Sequence, residues 1–187
     1  MTCNILLHIC CAPDATVPWP SLVDEGHDVT GYFYSSNIHP HSEFSRRADE
    51  VRMIAEKFGG VLIVDAYRPV EWLDRVRGVL LSPEGGERCS SCFRAQIEGA
   101  AKAAVAEGCE ALSTTLSISP HKDVGVIDLI GEEICRRYRL KWLYKIWRKS
   151  GGFALAVRRS TEMGLYRQRY CGCVMSIREE GTELMER

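Results

Sequence analysis

Apolar positions along the chain fall into short blocks whose spacing changes between strand and helix periods. Residues 4–9 (NILLHI) form an apolar run of strand length, and 28–34 (DVTGYFY) and 60–65 (GVLIVD) repeat the type. Between the last two runs, segment 41–58 places Phe44, Ala48, Val51, Ile54, Ala55 and Phe58 at helical spacing, and Gly59-Gly60 supplies the stop. A second helix is expected over 92–107, ended by Gly108, and 109–115 (CEALSTT) leads into a fourth strand. A helix over 121–138 and a fifth strand near 140–147 follow, the latter because Trp142, Tyr144 and Trp147 interleave with Leu143 and Lys145.

Alternating strands and helices predict an α/β fold with a mainly parallel sheet and crossover helices, with residues 1–187 as a single domain. Ligands of such sheets gather beyond the C-terminal strand ends. Cys10-Cys11, directly after the first strand, and the loop 117–122, after the fourth, are therefore expected on one rim. Segment 78–91 reads as a loop able to carry Cys89 and Cys92 over that rim.

Of the 187 residues, 45% are hydrophobic and 26% charged, which suits a globular protein and excludes a disordered or collagenous one. No apolar run approaches the roughly 18 residues of a membrane span, and the start MTCNILLHICCA lacks signal-peptide features, so a cytoplasmic location is expected. With 24 Lys and Arg against 25 Asp and Glu, total charge says nothing of a nucleic-acid partner. Its distribution does: eleven basic residues between Arg136 and Arg169 face one acid, Glu162. That stretch is either an anion-binding face or a solvated one.

Nine cysteines change the picture most, because in a reducing compartment they indicate metal binding or thiol chemistry. Six form tight pairs, Cys10-Cys11, Cys89-x-x-Cys92 and Cys171-Gly172-Cys173, while Cys3, Cys109 and Cys135 stand alone. Cys89 and Cys92 share one helix face, and Cys171 and Cys173 can point the same way around a glycine. Cys10 and Cys11, as neighbours in extended chain, point to opposite sides and can serve two different centres. Six thiolates exceed the four that one zinc ion or one four-iron cluster takes from protein. A cluster beside a mononuclear metal partly ligated by Asp14 would use the surplus; structural zinc, or catalytic or merely buried thiols, are the alternatives. Among the other polar residues, His8 suits a core histidine, and His39 and His41 suit either solvated loop positions or a loop that meets substrate beyond the second strand. Glu43 and Arg47 are spaced as a helix-surface pair, with a ribose or base contact as the alternative. Ser117, Ser119, His121 and Lys122 form either a helix cap or a polar functional loop.

The residues also carry a resemblance. Cys-Cys-Ala-Pro-Asp after the first strand is followed by Asn37-Ile38-His39-Pro40 with Glu43 and Arg47, and by Cys89-x-x-Cys92-Phe93-x-x-x-Ile97. Then come Ser113-Thr114-Thr115-Leu116-x-Ile118-Ser119-Pro120 and Tyr166-Arg167-Gln168-x-Tyr170-Cys171-Gly172-Cys173-x-x-Ser176. This series, spanning 4–177, resembles the QueH family of epoxyqueuosine reductases. Many members carry Cys where this chain has Asp14, and an aromatic where it has His121.

The resemblance implies a Rossmann-like (HUP-like) sheet with flanking helices. It also implies reduction of epoxyqueuosine to queuosine in the anticodon arm of tRNA, without cobalamin and with electrons from an unidentified donor. The implied cofactors are a 4Fe-4S cluster and an additional mononuclear iron, held by Cys10, Cys11, Asp14, Cys89, Cys92, Cys171 and Cys173, with Asp14 also catalytic. Substrate contacts are expected from Asn37, Arg47, Ser119, His121, Lys122, Arg158 and Arg159. Related ATP-using tRNA enzymes carry an S-G-G-x-D-S loop where this chain has Cys10 to Thr16, so substrate adenylation is not supported. The competing readings are an iron–sulfur tRNA sulfur transferase and a zinc-stabilised RNA-binding domain.

Overall fold

The alternation within the first strand decides the layers. In a computed structural model that describes residues 2–177, β1 (Asn4–Ile9) turns Ile5, Leu7 and Ile9 to one face and Leu6 to the other. The chain continues through α1 (Ala12–Ala15), α2 (Pro18–Asp24), β2 (Asp28–Phe33), α3 (His41–Phe58), β3 (Val61–Val64), α4 (Pro69–Val76) and α5 (Glu87–Ala106). It ends with β4 (Ala111–Thr114), α6 (Val124–Tyr138), β5 (Lys141–Trp142) and α7 (Gly152–Glu162). All five strands are parallel, in the order β3-β2-β1-β4-β5, as expected of a Rossmann-like sheet. Ile5, Leu7 and Ile9 pack with Trp19, Val51, Ile54 and Ala156, from α2, α3 and α7. Leu6 packs with Trp72, Ile97, Ile127 and Ile134, from α4, α5 and α6. Among the described residues no helix is long and apolar enough to cross a membrane.

Three boundaries differ from the sequence expectation. Helix α5 begins at Glu87 instead of 92, so Cys89 sits in its first turn and not in a loop. Helix α6 begins after Asp123, whose Oδ1 accepts the N–H groups of Gly125 and Val126 at 2.8 and 3.1 Å. That cap leaves Ser119, His121 and Lys122 outside the helix. The fifth strand is only two residues long. Its aromatic alternation has another cause: Trp142 Nε1 donates to Asp128 Oδ1, Tyr144 Oη to the Val124 carbonyl, and Trp147 Nε1 to the Thr114 carbonyl at the end of β4. The rings are thus anchored to α6 and the sheet end, where pairing would otherwise have continued. Helix α7, unexpected from the sequence, follows a close approach that only glycine permits, since a Cβ on Gly152 would lie 1.8 Å from the Trp147 carbonyl oxygen.

Candidate metal centre

The ends of β1 and β4 meet as topology requires. The Thr115 N–H donates to the His8 carbonyl at 2.9 Å and the Cys10 N–H to Thr115 Oγ1 at 3.2 Å. Above this rim opens a cleft of about 620 Å³ whose walls include Cys10, Asp14, Cys89, Cys92, Cys171 and Cys173. Cys11 is buried just behind it, where Gln168 Nε2 donates to its sulfur at 2.9 Å. The single turn of α1 brings Asp14 back over Cys10, with Cys10 Sγ donating to Asp14 Oδ2 at 3.0 Å. One ligand atom each from Cys10, Cys11 and Asp14 lies within 4.8 Å of the others, so the two neighbouring thiols, expected on opposite sides, converge where the strand gives way to α1.

Lys122 Nζ lies 3.6 Å from Cys10 Sγ and 3.9 Å from Asp14 Oδ2. Burial opposes its charge, but attraction from Cys10, Asp14, Cys11 and Cys171 outweighs this and holds its pKa above the ordinary value. The two vicinal thiols diverge: a hydrogen bond from Cys11 lowers the pKa of Cys10, whereas burial raises that of Cys11. Of the two thiols, Cys10 is therefore the one that gives up its proton more readily, and it faces the ammonium.

The remaining four thiols form a second set. Cys89 and Cys92 stand one turn apart at the start of α5, and Cys171 and Cys173 approach from the far end of the chain. Burial pushes the Cys92 thiol up to about 12, and charge on Cys171 and Cys173 pushes the same way. Cys89 and Cys173 are likewise raised by burial and by Cys171. Against this, the sulfur of Cys92 accepts hydrogen bonds from Trp72 Nε1 at 3.3 Å and Gln96 Nε2 at 3.1 Å, and that of Cys89 from the Gly85 N–H at 3.2 Å. Four sulfurs that repel one another when ionised need positive charge among them to become thiolates together. They do not form a group as tight as the one around Cys10. Such a set could hold a metal ion or a cluster.

Arg47 has a different place from the expected substrate contact. It is 2% exposed, and its guanidinium donates to Glu43 Oε1 at 2.7 Å and to the carbonyls of Cys171 and Tyr170 at 3.0 Å each. Glu43 in turn accepts from the Tyr166 hydroxyl at 3.2 Å. The His39 N–H donates to the Gly172 carbonyl, and Gly172 has φ 112°, a left-handed conformation that leaves room beside Arg47 and Ile38. The pair read as an ordinary surface contact is thus a clamp that holds the Cys171–Cys173 turn against α3. Replacing Arg47 by Met strands the Glu43 carboxylate and two carbonyls, and a stability loss of about 3 kcal/mol is expected by denaturant titration. Unchanged stability would remove the clamp from the account.

Asn37, Ser119, His121 and Lys122 line the cleft, and Asn37 Oδ1 is buried there without a hydrogen-bond partner. Arg158 and Arg159, expected at the substrate, lie away from it on α7. Arg158 is 3.8 Å from Glu162, and Arg159 donates to the Thr16 carbonyl at 2.7 Å. Much of the basic run is spent in the same way: Arg148 donates to the carbonyls of Ser119 and Lys122, Lys145 pairs with Glu25, and Arg137 with Glu98. Arg167 and Arg169 are the members of that run at the cleft. His8 is a core residue, 0% exposed, its Nδ1 2.9 Å from Thr114 Oγ1, and burial lowers its pKa to about 3. His39 is not a solvated loop residue; its ring packs 5.3 Å from that of Trp72. Cys3, Cys109 and Cys135 do not line the cleft. Trp72, Gln96 and Arg88, which donates to the Leu80 and Ser82 carbonyls, were missed because nothing in their spacing marks them as neighbours of the cysteines.

Known proteins share both the fold and the sequence of this chain. The solved structure of the U34-tRNA thiolase NcsA from Methanococcus maripaludis, with its [4Fe-4S] cluster, shares the fold at a TM-score of 0.56 and 12% identity. The match covers 88% of this chain and 58% of that one, so this chain spans less than two thirds of NcsA. At the level of sequence, an epoxyqueuosine reductase QueH of Streptococcus pyogenes is 36% identical over 98% of this chain and 74% of its own length. Its namesake in Thermotoga maritima is 36% identical over 94% and 91%. That of Haemophilus influenzae is 37% identical over 94% and 72%. The family described as epoxyqueuosine reductase QueH matches residues 5–179, a span that takes in all three cysteine pairs, and the chain belongs to that family.

Proposed function

We propose that this chain reduces epoxyqueuosine in tRNA to queuosine, with a 4Fe-4S cluster on Cys89, Cys92, Cys171 and Cys173 and a single iron on Cys10, Cys11 and Asp14. The observation that carries the reading is the division of seven ligand residues into two sets, most of them on the walls of one cleft. The solved NcsA structure carries a [4Fe-4S] cluster on this fold, which supports such a cluster here, and the reaction is that of the epoxyqueuosine reductases to which the chain is similar. When bound, the two groups supply single electrons and a Lewis acid for the epoxide oxygen.

The reaction takes two electrons and two protons and yields an alkene and water. Asp14 and Cys10 present anionic donors at the cleft floor, and Lys122 holds a proton at Nζ beside them, within reach of a departing oxygen. Asn37, Ser119 and His121 line the space a flipped-out base and its cyclopentane ring would occupy, while Arg167 and Arg169 meet the flanking phosphates. The partners are then the anticodon arm of tRNA and an external one-electron donor. The same reading takes the described residues 2–177 as one domain and, since its substrate is tRNA, places the protein in the cytoplasm; the rest of the expected 1–187 domain lies outside the described residues.

Anaerobically purified protein is expected to be brown, to contain iron in excess of its acid-labile sulfide, and to convert epoxyqueuosine-containing tRNA when given a chemical reductant. Colourless protein holding tightly bound zinc and no sulfide would overturn the reading.

A further inference from the structure

Two side-chain N–H donors converge on one buried sulfur. Cys92 is 8% exposed, Trp72 is 0% exposed, and Gln96 is 4% exposed. Gln96 lies four residues after Cys92 on α5, so helix geometry aims its amide back at the sulfur. The indole comes from α4, and a buried Trp N–H needs a partner. A neutral thiol is a weak acceptor, and two strong donors buried against it would be poorly matched. Against a thiolate they are well matched. The other three sulfurs of the set have different partners: Cys89 the Gly85 backbone, Cys171 the Ser176 hydroxyl at 3.1 Å, and Cys173 the Met175 backbone.

We infer that Trp72 and Gln96 tune the reduction potential of the cluster through these N–H···S bonds to Cys92. The inference rests on the cluster reading above and deepens it. Reduction adds one negative charge, which spreads over the sulfurs. An N–H dipole aimed at a sulfur stabilises the reduced form more than the oxidised one and so raises the potential. Burial of Cys92 works in the opposite direction by disfavouring the added charge. The two donors offset this burial cost, which keeps a shielded cluster reducible. They are positioning and tuning residues, with no contact to substrate required.

The test uses the full chain with its metal. Trp72→Phe keeps a ring and loses the N–H; Gln96→Met keeps the volume and loses the amide. Iron and sulfide per chain are measured first, and then the midpoint potential by redox titration followed by electron paramagnetic resonance. Each variant should keep wild-type iron and sulfide and titrate at a lower potential, and the double variant lower still. Trp147→Phe, which removes a buried indole N–H that bonds a carbonyl and no sulfur and does not line the cleft, should leave the potential unchanged. If only one variant keeps its cluster, that variant decides. Unshifted potentials in cluster-bearing variants overturn the inference. So does loss of the cluster from both variants, since the donors would then serve assembly. Wild-type protein without sulfide fails the underlying reading instead, a result separate from an intact cluster with unmoved potentials.

Discussion

Replacing Asp14 by Ala is expected to leave the cluster colour of the anaerobic protein and to abolish most turnover. The reason lies in the separation of the two ligand sets. Asp14 stands with Cys10 and Cys11, each offering a ligand atom within 4.8 Å of the others, and hydrogen-bonds no sulfur of the second set. Lewis-acid stabilisation is worth several kcal/mol, and with a factor of ten for every ~1.4 kcal/mol the loss should reach about a hundredfold or more. Iron should fall by about one atom per chain with sulfide unchanged. Asp14→Cys returns a metal-binding atom to the same turn and should recover a large part of the activity. Loss of all sulfide from Asp14→Ala would make Asp14 a cluster ligand, and turnover within twofold of the wild type would remove it from the chemistry.

How far the sequence alone reaches is best judged from particular residues. The strands were legible because Ile5, Leu7 and Ile9 sit on one face of a buried strand and Leu6 on the other, a pattern set by one element at a time. The cysteine pairs were legible because each is local, and the rule that ligands gather at C-terminal strand ends placed Cys10 correctly. Arg47 was not. Its spacing from Glu43 looked like a surface pair, and only the return of Tyr166 to Cys173 against α3 turns it into a buried clamp. The basic run reads differently in the fold for a related reason: sequence counts charges, whereas folding pairs Lys145 with Glu25 from the other end of the chain and spends Arg148 and Arg159 on carbonyls. Trp72 shows the limit most clearly. It belongs to a helix with no cysteine of its own, and its role exists only because α4 packs against α5.

The partition of the thiols makes a second large expectation. Cys92→Ala and Cys171→Ala should each bleach the protein and remove most of its sulfide, although one residue is buried and the other exposed. Cys10→Ala should keep the sulfide and lose the single iron together with activity. The argument is electrostatic as much as geometric. Charge on Cys171 is felt by Cys89, Cys92 and Cys173, whereas Cys10 answers chiefly to Cys11, Asp14 and Lys122. Neutralisation by one group cannot serve both sets equally, so removing a thiolate should empty its own set first. Cys109→Ala, at a residue that does not line the cleft, should change neither metal nor turnover. Iron, sulfide and visible absorbance of the four variants, prepared side by side under anaerobic conditions, decide the matter. If Cys10→Ala bleaches as fully as Cys92→Ala, the thiols form one set and the two-centre arrangement fails. Retention of a full cluster by Cys171→Ala would instead mean that the exposed thiol leaves one iron open to solvent or substrate, with three cysteines sufficient to hold it.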